Sequence, residues 1–364
     1  MICFSLLTVC EARASFSDID LSTTTLDPDT TGFMITGNTA SDSLGHSVST
    51  AGDIDNDGYD DIIVGAYAEN SNQGAAYVIY GGEKVTVTNF ALGTQTLDPQ
   101  TTGFKITGNS GSEYFGYSVS TAGDINNDGY DDIIIGAPTK NANIGAAYVI
   151  YGGEKSSMAN IDLSTALNPH TTGFMITGNA AGDYFGWALS TAGDINNDGY
   201  DDIIIGAHQK NGYQGAAYVI YGRPKSSITN INLSTQTLDP HTTGFMITGT
   251  TVGDQFGVSV STAEDINNDG YDDIILGANA RNSNQGAAYV IYGGAKSLMS
   301  NIALSTQTLD PHTTGFMITG NAVGDQFGLS VGAARDFNKD GFSDIIIGAS
   351  GKGAAYLISA GILF

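Results

Sequence analysis

Basic residues are scarce in this chain of 364 residues: 13 Lys and Arg stand against 38 Asp and Glu, a formal charge of −25. A surface without basic patches gains nothing from releasing phosphate counterions, so nucleic acid is excluded as a partner. The same deficit excludes attraction to an anionic membrane surface. Cysteine is scarcer still. Cys3 and Cys10 both lie in the first ten positions, so no disulfide framework can hold the rest of the chain. No stretch approaches the roughly 20 apolar residues of a membrane span, so membrane insertion is not expected, and no helical apolar stripe is present. What remains is a folded composition, with 49 glycines, 41% hydrophobic and 14% charged residues. It suits many turns and short strands better than disorder or long helices.

The N-terminus carries a short apolar run followed by Ala12-Arg-Ala14. This pattern predicts a secretory signal cleaved after Ala14, although no Lys or Arg precedes the run. The alternative is a fragment start or a buried N-terminal strand. Cleavage would leave a domain of residues 15–364 without cysteine, secreted or held at the cell surface, whose stability must come from something other than disulfides.

Self-similarity supplies the architecture. The phrase Ser-Thr-Ala-Gly-Asp-Ile-Asp/Asn-Asn-Asp-Gly-Tyr-Asp-Asp-Ile-Ile recurs with its first aspartate at Asp53, Asp124 and Asp194. A copy with Glu264 in place of the glycine starts at Asp265, and a diverged copy at Asp336. The spacings are 71, 70, 71 and 71 residues. Each unit reads as four short strands. In the second unit these are strand A, Phe115 to Gly123; B, Asp132 to Ala137; C, Gly145 to Tyr151; and D, centred on Gly173 to Gly178. Four strands per unit predict an all-β propeller, with the small residues of strand A at the crowded axis. The chain starts on a D-type segment, Asp18 to Gly37, and ends on strands A, B and C of the fifth unit. We therefore expect five blades, the last completed by the N-terminal segment, which would remove an exposed sheet edge. The alternative is part of a seven-bladed ring.

Each unit also carries Asp-x-Asp/Asn-x-Asp-Gly-Tyr/Phe-x-Asp. In the first unit the candidate ligands are Asp53, Asp55, Asp57, Tyr59 and Asp61; in the second, Asp124, Asn126, Asp128, Tyr130 and Asp132. The third supplies Asp194, Asn196, Asp198, Tyr200 and Asp202, and the fourth Asp265, Asn267, Asp269, Tyr271 and Asp273. The fifth supplies Asp336, Asn338, Asp340, Phe342 and Asp344. Ca²⁺ takes 6 to 8 hard oxygen ligands, and side chains at positions 1, 3 and 5 converge when the glycine at position 6 permits a sharp turn. Position 7 offers its backbone carbonyl and position 9 closes the cage. Position 12 is apolar in every copy, so this is a strand-loop-strand site rather than a helix-loop-helix one. The five loops hold 20 of the 38 acidic residues, a density that would repel itself without a cation. About five Ca²⁺ per chain are expected on this ligand pattern. The neighbouring Asp60, Asp131, Asp201 and Asp272 are expected to face water.

These residues resemble a known family. Phe115-Gly116 before strand A, the loop Asp124 to Asp132, and Gly136-Ala137-Pro138 are similar to the FG-GAP repeat of integrin α-chain propellers. The likeness covers nearly the whole chain after the signal, but it is not uniform. Only the second unit keeps the proline, and the first has Leu44-Gly45 for Phe-Gly. The resemblance implies a free-standing extracellular binding or adhesion module whose ligand face lies opposite the calcium loops. Tyr114, Tyr184, Lys210 and Tyr213, in the D–A and B–C loops, are the candidate contacts. The expected partner is an extracellular protein or a glycan.

Other readings are weaker. His170, His241 and His312 occupy one repeat position on separate blades, which suits turn residues rather than a shared metal. Trp187 is read as packing, and Asn232-Leu-Ser234 is the only glycosylation sequon. The alternative functions are a multivalent lectin and, least favoured, a glycan-processing enzyme. Catalysis would need unlike carboxylates facing one substrate, whereas repeated copies supply like ones.

Overall fold

The computed structural model describes residues 32–83 and 89–362, with Leu21, Thr25 and Leu26. The predicted signal Met1 to Ala14 lies outside the described residues, as does much of the Asp18 to Gly37 segment.

Among the described residues, five blade sheets follow one another along the chain, in the order A-B-C-D in blades I to IV and A-B-C in blade V. In blade II, A is Val119–Gly123, B Asp132–Ala137, C Ala146–Ile150 and D Gly173–Thr177. Blades I, III and IV repeat this pattern, and blade V has three strands among the described residues. Every residue of strands B and C in blade II is buried, because both faces of these apolar runs are covered by neighbouring blades. A feature not expected from sequence is an outer strand of two residues, parallel to D and drawn from the next unit. Ile161–Asp162 pairs in this way with Ile106 and Thr107 of blade I.

The core consists of layers between blades. Alternation along strand B sends Ile133 and Ile135 into the layer shared with blade I, and Ile134 into the layer shared with blade III. The Phe-Gly pair opens each later blade by entering these layers. Phe185 is fully buried and meets Tyr218 edge-on at 5.3 Å. Burial of such a side chain contributes about 1.5–3 kcal/mol. The following glycine allows two backbones to touch: a Cβ on Gly136 of blade II would lie 2.2 Å from the Gly186 carbonyl oxygen of blade III.

Among the described residues, the expected pairing of the N-terminal strand with blade V is not seen. Ile35–Thr36 pairs in parallel with Phe90–Ala91 rather than with strand C of blade V. That strand, Ala354–Ile358, is the outer edge of its sheet among the described residues, and Leu357 is 42% exposed. A Cβ on Gly348 of blade V would meet its own Ser330, not a Phe-Gly backbone, and Gly45 of blade I has nothing within 4 Å. The glycine contact that joins successive blades is therefore not made between blades V and I.

Candidate metal loops and the opposite face

The five A–B loops fold alike. Position 4 is left-handed in each, from Asn56 (φ 55°) to Lys339 (φ 61°), and the glycine at position 6 also has positive φ. This turn wraps the backbone around the position-1 carboxylate. Asp124 accepts N–H groups from Asp128 at 3.0 Å and Gly129 at 2.8 Å. Asp53, Asp194, Asp265 and Asp336 accept the same pair in their loops. The position-5 residues Asp57, Asp128, Asp198, Asp269 and Asp340 accept the position-7 N–H, from Tyr59, Tyr130, Tyr200, Tyr271 and Phe342.

Position 9 is buried throughout, with Asp132, Asp202, Asp273 and Asp344 at 0% exposure and Asp61 at 1%. Its carboxylate ties the loop to the end of strand C. Asp61 accepts N–H groups from Gly81 at 2.7 Å and Ile54 at 3.1 Å. Burial raises the pKa of this group to about 7 for Asp61 and about 8 for Asp273, and well above the usual carboxylate range for Asp132 and Asp202. These are acids short of positive charge.

The residues fit a cation. Oxygens of Asp53, Asp55 and Asp61 lie within 4.8 Å of one another. Asp55 Oδ1, Asn126 Oδ1 and Asn196 Oδ1 are buried without a hydrogen-bond partner, a state that normally costs about 1–3 kcal/mol. Loops IV and V differ. Asn267 and Asn338 turn their Oδ1 onto the position-5 N–H of Asp269 and Asp340.

Sequence reasoning missed a lysine. Lys155 Nζ, carried by the loop after strand C of blade II, reaches Asp57 and lies 3.1 Å from Asp55 Oδ2 in blade I. Lys225 reaches Asp128 and Lys296 reaches Asp198 in the same way, each from the blade that follows. Each ammonium also stands 4.7–5.0 Å from the centre of a tyrosine ring: Tyr80, Tyr151 or Tyr221. Their spacing of 70 and 71 residues was the available signal.

Position 8 requires a correction. Asp131, Asp201 and Asp272 do not simply face water: each Oδ2 accepts the position-1 N–H of the preceding blade, from Asp53, Asp124 and Asp194, at 2.8 Å. Only Asp60, whose blade has none packed before it, is exposed.

The D–A and B–C loops meet at the other end of the blades. The B–C loops of blades I to IV each contain three consecutive left-handed residues, such as Asn211, Gly212 and Tyr213. Asparagine tolerates that conformation better than most residues. Such a loop docks on the residue before the next Phe-Gly, as Asn143 O does on the Tyr184 N–H at 3.0 Å. Tyr213 is 44% exposed. Lys210, expected at the tip, is instead only 6% exposed and paired with Asp183 at 3.2 Å, because the left-handed turn directs it inward. Tyr114 and Tyr184 join a continuous ribbon of rings across blades I to III. Tyr67 lies 5.3 Å from Tyr114 and 5.5 Å from Tyr117; Tyr117 lies 4.6 Å from Trp187; Trp187 lies 4.5 Å from His208. Trp187 thus packs, as expected, but within a partly open surface. His170 and His241 are exposed turn residues whose Nδ1 meets the backbone oxygens of Lys225 and Lys296.

The comparisons agree with this arrangement. The FG-GAP repeat profile matches residues 44–79, 115–150, 185–220, 256–291 and 327–358. Integrin alpha pat-2 of Caenorhabditis elegans is 32% identical over 254 residues, covering 65% of this chain and 18% of that protein. Integrin alpha-8 of Gallus gallus is 27% identical over 262 residues, covering 68% of this chain and 21% of its own length. Integrin alpha-5 of Xenopus laevis is 28% identical over 244 residues, covering 65% and 20%. The chain spans about a fifth of the length of these relatives.

Proposed function

From the premise that this chain is an integrin-like FG-GAP repeat β-propeller, we propose that it is an extracellular adhesion or binding module stabilised by calcium in its A–B loops. One observation carries the calcium reading: buried oxygens without partners at Asp55, Asn126 and Asn196, beside buried carboxylates of raised pKa. A divalent cation answers both deficits. Asp53, Asp55, Asp57 and Asp61, with the Tyr59 carbonyl, would hold it in loop I, and equivalent residues would do so in the other loops. The ion would neutralise the clustered carboxylates and fix each loop against strand C.

The ion is structural in this reading. The carboxylates are enclosed within single loops and already hold backbone N–H groups, which leaves no substrate position. Binding, rather than catalysis, then belongs to the opposite face, where the loops differ between blades. No helix among the described residues is long and apolar enough to cross a membrane.

The test has two arms. Native mass spectrometry should show about five bound Ca²⁺, and a site filled at 100 times its dissociation constant adds roughly 2.7 kcal/mol. Melting unchanged by chelator would overturn the calcium reading. In solid-phase binding to extracellular matrix, Tyr114→Ala, Tyr184→Ala and Tyr213→Ala should weaken retention without loss of fold. Full retention by all three would overturn the assignment of the face.

A further inference from the structure

The aromatic ribbon carries more chemistry than packing requires. Tyr114, Tyr117, Tyr184 and Trp187 are all partly exposed. The ribbon is confined to the first three blades: the Tyr117 and Trp187 positions become Val258 and Leu329, and the Tyr114 and Tyr184 positions become Gln255 and Gln326. Repeat packing alone would not produce that asymmetry, since Val258 and Leu329 serve the same fold.

Polar groups accompany the rings. His208 is 5% exposed, and its Nδ1 is buried without a partner. One blade on, Asn279 holds the equivalent place after Gly-Ala, with its Oδ1 buried and unpartnered as well. Burial lowers the His208 pKa to about 4, so the ring is neutral at physiological pH. Charges in the same loops are already matched: Lys140 with Glu113 at 2.7 Å, Lys210 with Asp183 at 3.2 Å, and Arg281 with Asp254 at 3.7 Å. A ligand suited to this surface offers flat apolar faces to the rings, hydroxyls to the unpartnered atoms, and no net charge.

We propose that the ribbon binds a neutral oligosaccharide, with pyranose faces on Tyr117 and Trp187 and hydroxyls reaching His208 and Asn279. This rests on the reading of this end of the blades as the binding face. The axial faces of a pyranose present C–H groups, which suit the electron-rich face of an aromatic ring. Its equatorial hydroxyls can donate or accept, so they match both His208 and Asn279.

Trp187 is the chain's single tryptophan, so intrinsic fluorescence reports from within the site. The whole chain in calcium would be titrated with neutral oligomers of glucose, mannose, galactose and N-acetylglucosamine, and separately with an arginine-rich peptide. At least one oligosaccharide should shift the emission saturably. Tyr117→Ser and His208→Ala should each weaken that binding about tenfold, a loss of about 1.4 kcal/mol. Leu298→Ala, at an exposed residue of the loop after strand C of blade IV and outside the D–A and B–C loops, should leave it unchanged. Tyr117→Ser removes a partly exposed ring, and its melting curve shows whether it folds if His208→Ala does not. No response to any oligosaccharide at millimolar concentration overturns the proposal, as does a response to the peptide alone or sugar binding that survives Tyr117→Ser in folded protein. If sugars fail while matrix binding remains sensitive to Tyr114 and Tyr184, the ligand class is wrong and the binding face stands. If matrix binding also fails, both readings fall.

Discussion

Ser343 Oγ donates to Glu264 Oε2 at 2.8 Å across the junction of blades IV and V, where every earlier junction sets an aspartate against a glycine. A Cβ on Gly52, Gly123 or Gly193 would lie 2.2 Å from an Oδ2 of Asp131, Asp201 or Asp272. Glu264 has a Cβ at that place, and the shorter Ser343 makes room for it. The pair is one exchange made on two blades.

Gly193→Glu should therefore destabilise the protein by more than about 2 kcal/mol, through overpacking and a carboxylate brought onto Asp272. Adding Asp272→Ser should restore much of that loss, with a coupling energy of about 1–3 kcal/mol. Chemical denaturation of the four proteins in calcium gives the cycle. Additive losses would mean that the Glu264–Ser343 contact is incidental.

The same position explains what the sequence displayed and what was misread. Strands B, C and D were legible from apolar runs bounded by glycine, and the loops from the spacing of their aspartates. Closure rests on counting strands, and much of the Asp18 to Gly37 segment that would supply the last strand lies outside the described residues. Arg335 stands where the earlier glycines stand and lies 3.6 Å from Glu264, within the IV–V junction. The inward turn of Lys210 was hidden for another reason: it follows from three left-handed residues, and only one of them is glycine. The ribbon was hidden because its rings come from different units and meet only once the blades stack.

Lys210 is expected to be a stability residue. Lys210→Met would leave Asp183 buried and unpaired, at a cost of about 3–5 kcal/mol. Tyr213→Ala, at an exposed loop, should change stability by no more than about 0.5 kcal/mol. Thermal melting of the two variants checks this; equal and small effects would place Lys210 in solvent after all.

The loop carboxylates give a pH signature that depends on the cation. Asp61 and Asp273 are raised by burial from 3.8 to about 7 and about 8, so each holds its proton more tightly folded than unfolded. Their contribution is complete below about pH 4 and is lost as pH rises through about 7 to 8. In chelator the melting temperature should fall between about pH 5 and pH 8.5. With calcium the ionised carboxylates are matched and the fall should vanish. Calorimetry in both buffers decides it; identical pH profiles would remove the cation from the account.

The lysines that reach across blades should compete with that cation. Lys155, Lys225 and Lys296 place an ammonium on the position-5 carboxylates of loops I, II and III. An ammonium and a divalent ion cannot both be held tightly by one Asp57 or Asp128 oxygen, so metal binding must first displace the lysine. Loops IV and V have no such lysine among the described residues. Replacing all three lysines with Met keeps most of the apolar contact with the tyrosine rings and removes the charge. The variant should melt lower than the parent in chelator, because the carboxylates lose their substitute cation. Loops I to III should then bind calcium more tightly by about tenfold, the effect of removing a competitor worth about 1.4 kcal/mol. Loops IV and V should be unaffected. Calorimetric titration resolves the classes of site: a parent with two classes, three weaker and two tighter, should become a variant with one. An unchanged isotherm, or tighter binding without any loss of stability in chelator, would mean that the lysines lie beside the carboxylates without neutralising them.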